Sequence, residues 1–385
     1  MKRVHDLTDR QTDRQTDRQS GVELLKIIAI FLIVISHVTQ SLGNENIQNS
    51  LIHLGQATTD IQILILTLMR QAGALGNNIF FVSSAWFLVE KTGYGRRKAC
   101  SMLGTVWGIS ILMLSIYLCI CPSVLTMQDI IKQILPTCFA NNWYMTCYII
   151  FLFIYPWLNK LLALTDQKQM LRMVIFSSLL WIIADYFKAD LFFSSSLILW
   201  VTIYILIFYL KTYCRKTMSN IKTGYALILV GILGYIAQVI ATNYVGLYLC
   251  EAFSDKLLRW NNNCCPFYIM IAIGSIIIAM QARYKNIVIN YISGLSMFVY
   301  LFHENYLFRR YTRPAIWMYL YERYGYAQVV MLDLIYAIVL FTLMIIVSAI
   351  YKETFQHLVM VASNKLYSFI KKIYGRIELM TMRIK

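Results

Sequence analysis

Charge is what this sequence has least of. Only 14% of its 385 residues are Asp, Glu, Lys or Arg, while 59% are hydrophobic. Soluble globular chains run at about 25% charged and about 45–50% apolar, so a mean hydropathy of +0.58 excludes that class. Proline is scarce, at five residues, and neither a collagen period nor a coiled-coil heptad is present. Acidic residues number 19 against 35 Lys and Arg, a net charge of +16. A nucleic-acid binder would gather that excess into a stripe on a polar surface. Here it sits in short segments between long apolar runs, as in the cytoplasmic loops of a multispanning membrane protein. Phosphate-binding glycine loops, zinc-protease helices and nucleophile elbows are missing. The nine cysteines lack zinc-site spacing with histidine. They read as packing residues, with a loop disulfide at Cys264 or Cys265 as the alternative.

The apolar runs predict an all-α integral membrane bundle. A spanning helix needs about 20 mostly apolar residues, and ten segments qualify as candidates. They are Leu24–Leu42, Gly73–Val89, Met102–Cys121, Trp143–Ala163, Leu171–Phe187, Leu197–Tyr213, Tyr225–Tyr244, Phe267–Gln281, Tyr291–Phe308 and Val329–Tyr351. An extra apolar stretch, Ile61–Met69, reads as interfacial. No soluble domain is left over. Residues 1–20 contain three copies of Thr-Asp-Arg-Gln, buy no core, and read as a disordered extension without the apolar centre of a signal peptide. Residues 21–351 form the membrane domain and 352–385 a basic tail.

Lys and Arg alternate in density from loop to loop. Rich segments hold Lys91, Arg96, Arg97 and Lys98, then Lys160, Lys168 and Arg172, then Lys211, Arg215, Lys216 and Lys222, then Lys365, Lys371, Lys372 and Arg376. With ten spans, the rule that positive loops stay inside places both termini in the cytoplasm. One cluster breaks the pattern, because Arg309, Arg310, Arg313 and Arg323 fall on the expected outside.

Ionisable groups within spans are expensive and are functional candidates by default. In the first span, Lys26 and His37 are eleven residues apart. At about 1.5 Å and about 100° per residue, that spacing gives roughly 16 Å of rise and returns to nearly the same azimuth. One cation lies at the membrane edge and one imidazole inside, on a single stripe. Snorkelling and a helix-to-helix hydrogen bond are the structural alternatives. In the ninth span, His303 is followed by Glu304. Trp143 and Tyr144 open the fourth span and suit an aromatic belt, while Ser83 and Ser84 suit close helix packing in the second.

Four motifs in this order resemble the acyltransferase-3 family of bacterial multispanning O-acyltransferases, which modify surface and exported glycans. The basic-residue-x10-His element matches Lys26 and His37. The segment FFVSSAWFL is similar to the family's Phe- and serine-bearing second helix. Trp143, Tyr144 and Pro156 match a Trp-Tyr…Pro element, and Tyr300, Leu301 and His303 a late Tyr-Leu-x-His element. Ala85 stands where glycine is common. No Arg follows three positions after Arg96 or Arg97, and no hydrolase-like domain follows the membrane part.

The resemblance implies transfer of an acyl group, acetyl above all, from acyl-CoA as co-substrate to a sugar hydroxyl of a cell-surface or exported polysaccharide. No cofactor or metal is implied as a permanent occupant. His37 is then the general base or a transient acyl carrier. Lys26, Arg96 and Arg97 bind the donor's phosphates. Ser84, Trp143, Tyr144, His303 and Glu304 shape the acceptor pocket. The implied partners are acyl-CoA, a glycan or lipid-linked glycan, the bilayer and a separate exported transferase, but no nucleic acid. The implied location is a bacterial inner membrane. The alternative is a transporter or flippase for a lipid-linked glycan, a class marked by internal repeats and Gly/Pro-broken helices.

Overall fold

The computed structural model describes residues 19–40, 60–91, 95–186, 196–248 and 263–383. The Thr-Asp-Arg-Gln copies before Gln19 lie outside the described residues. Among the described residues there are helices and no strands, as expected where every backbone amide must be satisfied without water. In chain order the helices of eight residues or more are α1 (Ser20–Gln40), α2 (Asp60–Leu88), α3 (Arg96–Ile120), α4 (Met127–Ile134), α5 (Trp143–Ala163), α6 (Gln167–Tyr186), α7 (Ser196–Tyr213), α8 (Ile221–Tyr248), α9 (Pro266–Gln281), α10 (Ile287–His303), α11 (Arg313–Tyr324), α12 (Val329–Thr354) and α13 (Gln356–Arg383). The chain is an all-α membrane bundle, and each of the ten apolar runs falls mainly on one of these helices.

Five helices among the described residues are long and apolar enough to cross a bilayer, or six if α10 and the bent segment after it count as one. The other runs are shorter or more polar. α7 and α9 carry apolar stretches of at most 17 residues, and α2 interrupts its apolar face with Arg70, Gln71, Asn77 and Asn78. The Ile61–Met69 stretch, expected at the interface, is continuous with α2. It extends the second span by more than two turns.

α1 is the central helix. In its apolar window 67% is buried, against 11% for the window of α8, and it packs against α2, α9, α10 and α12. Lipid is as apolar as leucine, so close packing and polar contacts, rather than hydrophobicity, join such helices. The α1–α2 contact shows how. A Cβ at Gly76 would sit 2.5 Å from the Ala29 carbonyl oxygen, so only glycine admits that approach. Polar pairs then set the register of α1 on α10. Ser20 Oγ donates to Asn290 Oδ1 at 2.9 Å, and Ser293 Oγ donates to Glu23.

The expected basic tail is a long amphipathic helix. α13 crosses α3, where a Cβ at Gly104 would collide with Ser363 and Gln356 Nε2 donates to Thr105 Oγ1 at 3.2 Å.

Candidate functional site

The ninth span ends earlier than its hydropathy predicts. α10 stops at His303, and Glu304 caps it. The Asn305 side chain accepts the Leu307 N–H at 3.0 Å, a local turn that competes with helical pairing. The chain resumes as a π-helical turn, Phe308–Thr312, and α11, with a bend of 65° between the two halves. The sequence looked continuous here because Tyr306, Leu307 and Phe308, just beyond the break, are apolar. The break places His303 and Glu304 at a helix end deep in the bundle, where both are buried.

His37 of α1 meets them. Its Nδ1 is 2.9 Å from Glu304 Oε2 and 3.0 Å from His303 Nε2, and its side chain is 12% exposed. The hydrogen positions follow from the acceptors. His303 Nδ1 lies 2.7 Å from the Val299 carbonyl oxygen, which can only accept, so that nitrogen carries hydrogen. In neutral His303, Nε2 is then a lone pair. Both neighbours of His37 Nδ1 are therefore acceptors, Nδ1 donates to them, and the basic lone pair of neutral His37 resides on Nε2.

Glu304 is held by two arginines from the cluster that broke the charge rule. Arg309 Nη1 is 2.6 Å from its Oε1 and Arg313 Nη1 3.0 Å from its Oε2. Arg313 is buried, with only 4% of its side chain exposed. The third member, Arg310, pairs with the buried Asp129 of α4 at 2.9 Å. These three arginines of the four are therefore paired with buried acids of the bundle. His37, His303 and Glu304 also have the donor types of a cation site. The arginines already occupy both carboxylate oxygens, and a metal would have to displace positive charge from them, so the donor set does not fit one.

Tyr144 packs inside the bundle and Trp143 stays partly exposed. Asn142, at the start of α5, donates from Nδ2 to the Glu304 carbonyl at 3.2 Å, which brings this helix end to the site. Tyr144 is 8% exposed, and Trp143 packs edge-on against it, 5.6 Å between centroids. The turn that delivers the chain from α4 to α5 holds Ala140 at φ 48°.

A second cluster lies towards the N-terminal ends of α1 and α3. Lys98 Nζ donates to the Tyr148 hydroxyl at 3.1 Å and stands 5.1 Å from the ring centroid. Ser84 and Lys26 lie near the same phenol. Lys26 itself pairs with Glu23 at 2.9 Å. Thus Ser84, expected with the acceptor residues, stands beside the lysines. Arg97 and Lys98 are exposed and Arg96 half-buried. Lys98 nonetheless reaches the Tyr148 hydroxyl through its long stem, a contact the spacing argument missed because three adjacent residues point in three directions on a helix.

Aromatic rings join the two clusters. Tyr148 lies 6.2 Å from Trp200, Trp200 4.7 Å from Tyr144, Tyr144 5.9 Å from Tyr300, and Tyr300 5.8 Å from His303. Tyr148 and Trp200 carried no separate sequence signal among 27 tyrosines and eight tryptophans, whereas Tyr300 belongs to the late Tyr-Leu-x-His element.

Neither a curated protein nor a solved structure matches the chain. An acyltransferase domain model, that of the acyltransferase-3 family, matches residues 19–353, a span containing every residue of both clusters. The chain therefore belongs to the acyltransferase-3 family and is a multi-pass membrane acyltransferase.

Proposed function

We propose that this acyltransferase moves an acyl group, most simply acetyl, from acyl-CoA to a hydroxyl of a cell-surface or exported polysaccharide. The observation that carries the reading is the buried His37, whose Nδ1–H is directed to Glu304 and His303. That arrangement fixes which nitrogen is basic and supplies a carboxylate to stabilise the imidazolium, the logic of a base oriented by a buried acid.

The step follows from these groups. The sugar oxygen attacks the thioester carbonyl while His37 Nε2 takes the hydroxyl proton. The C–O bond forms and the C–S bond breaks, and His37 returns the proton to the departing thiolate. Ester and free coenzyme A result. Two arginines around one carboxylate leave an excess of positive charge, which favours the oxyanion of the tetrahedral intermediate.

Lys26 and Lys98 serve the donor's phosphates as point charges, with Arg96 and Arg97 nearby at the surface. The roughly 16 Å from Lys26 to His37 along α1 is the run over which the pantetheine arm lies, against the Tyr148–Trp200–Tyr144–Tyr300 rings. No permanent cofactor takes part. The donor end faces the cytoplasm of a bacterial cell whose inner membrane holds the protein, and both termini lie on that side. A separate exported transferase can complete acceptor handling. Family membership favours this chemistry over the transport alternative.

The test is the ester content of the host's surface glycans, measured by mass spectrometry with the wild-type chain, without it, and with His37→Ala at equal membrane abundance. Ester present only with the wild type is the expected result. Equal ester in all three refutes the role.

A further inference from the structure

The short helix α4 is turned inside out. Its two buried side chains are Asp129 and Gln133, both fully enclosed, whereas Met127, Ile131 and Ile134 are exposed. Asp129 and Gln133 are one turn apart and share a face. A helix at a water boundary buries the opposite face. In a bilayer the apolar side meets hydrocarbon, and the polar groups must find their partners within the protein.

Those partners lie on one stretch of chain, the break after α10. Gln133 Nε2 donates to Asn305 Oδ1 at 2.8 Å, and Asn305 Nδ2 donates back to Gln133 Oε1 at 3.4 Å. The Asn305 side chain is as enclosed as that of Gln133. The same Asn305 oxygen accepts the Leu307 N–H in the turn that interrupts the span. Neither amide can rotate without leaving buried donors and acceptors unmatched. Asp129 takes the hydroxyls of Tyr306 and Tyr311, at 2.9 and 2.7 Å, further along the same segment. Gln133 therefore grips the residue directly after Glu304, whose carboxylate must stay within reach of His37 Nδ1.

We propose that Gln133 is a positioning residue for acyl transfer. By fixing the Asn305 turn it sets where the Glu304 carboxylate stands, and so keeps the proton of neutral His37 on Nδ1 and its lone pair on Nε2. It acts through Asn305 and reaches neither imidazole nor substrate. The proposal rests on the reading of His37 as the base and deepens it, because it extends the site to a helix whose outer face meets lipid. Misplacement of about 1 Å in such a constellation costs on the order of 10²-fold in rate.

The test uses the full chain in nanodiscs with its histidine rings labelled with nitrogen-15, at alkaline pH where imidazole is neutral. The His37 signal is assigned by its loss in His37→Gln. Gln133→Met keeps the length of the side chain and removes both bonds. Gln128→Met, an exposed position on the same helix, is the control. Wild type and Gln128→Met should show hydrogen on Nδ1 alone, and Gln133→Met a mixture of the two tautomers. In acyl transfer from acyl-CoA, kcat of Gln133→Met should fall about ten- to a hundredfold, with the KM for acyl-CoA within about twofold. Gln133→Asn, one methylene too short to make both bonds, is the second variant and should change in the same direction.

An unchanged tautomer in both Gln133 variants overturns the proposal, as does a raised KM at constant kcat. Mixed tautomers with transfer at the wild-type rate overturn it too. The tautomer is read without substrate, so the two readings fail separately. Mixed tautomers in Gln133→Met, with no transfer from acyl-CoA even by the wild type, uphold the placement by Gln133 and count against the proposed donor and acceptor.

Discussion

The centre of the bundle and its Lys26 end handle charge in opposite ways. At the centre, His37, His303, Glu304 and Arg313 are almost wholly enclosed and hold one another through short contacts. At the other end, Lys98 rests on the phenol of Tyr148 and Lys26 on Glu23, with long stems and a partly open surface. A buried charge that loses its partner stays buried and unpaired, whereas an exposed one regains water. The two regions should therefore answer substitution differently. The centre couples chemistry to stability, and the lysine end governs donor affinity.

The largest effect that would sharpen this contrast is on chemistry. His37→Ala should reduce acyl transfer by about 10²- to 10⁴-fold, the usual worth of a general base, while the chain stays folded because Glu304 keeps Arg309 and Arg313. A loss below tenfold would remove His37 from the reaction.

Next in size is stability within the centre itself. Arg313→Ala leaves Glu304 with one fewer buried partner and should cost about 3–5 kcal/mol. The more exposed Arg309→Ala should cost about 1 kcal/mol or less. Chemical unfolding of the two variants side by side measures the difference, and equal losses would break the comparison of buried with open charge.

At the lysine end, Lys98→Ala should raise the KM for acyl-CoA about tenfold, since one charge-assisted contact is worth roughly 1.5–3 kcal/mol, with kcat within about twofold. A fall in kcat with constant KM would move Lys98 to the chemistry.

Asp129, on the short helix α4 between α3 and α5, tests the same contrast with pH. Burial by itself would raise its pKa, but the hydroxyl and backbone N–H of Thr126 and the hydroxyls of Tyr311 and Tyr306 hold the carboxylate down to about 2 from an ordinary 3.8. A depressed carboxylate stabilises fully above its unfolded value and loses that contribution as pH falls. The stability gap between wild type and Asp129→Asn should be constant from pH 5 to 7 and shrink between pH 4 and 2, followed by thermal unfolding. A gap that widens on acidification contradicts the assignment.

The smallest effect concerns the turn before α5. Ala140 adopts φ 48°, where glycine is at ease and other residues are strained. Ala140→Gly should change stability by less than about 1 kcal/mol, in the favourable direction, read as a small rise in Tm.

Much of the fold was legible because spans announce themselves by length and apolarity. The fourth run was expected at Trp143–Ala163 and the helix has those ends. The ninth was expected to reach Phe308 and stops at His303, because the Asn305 turn is a polar backbone event inside an apolar stretch that hydropathy averages away. His37, His303 and Glu304 were visible as ionisable residues out of place. Arg309 and Arg313 were visible only as an anomaly, since loop charge reports topology and says nothing of a carboxylate reached after a 65° bend. The Trp143–Tyr144 pair left belt and pocket both open, because an aromatic at a helix start looks alike whether that end meets the interface or the interior.

The sequence by itself determined the class of molecule and the residue types available for chemistry, because bilayer thickness and the cost of buried charge act on local segments. Only the tertiary structure decided which ionisable groups share a site, which nitrogen of His37 is basic, and which short helix grips the break beside them. Those outcomes depend on helix ends, bends and facing carbonyls, which residues distant along the chain create together.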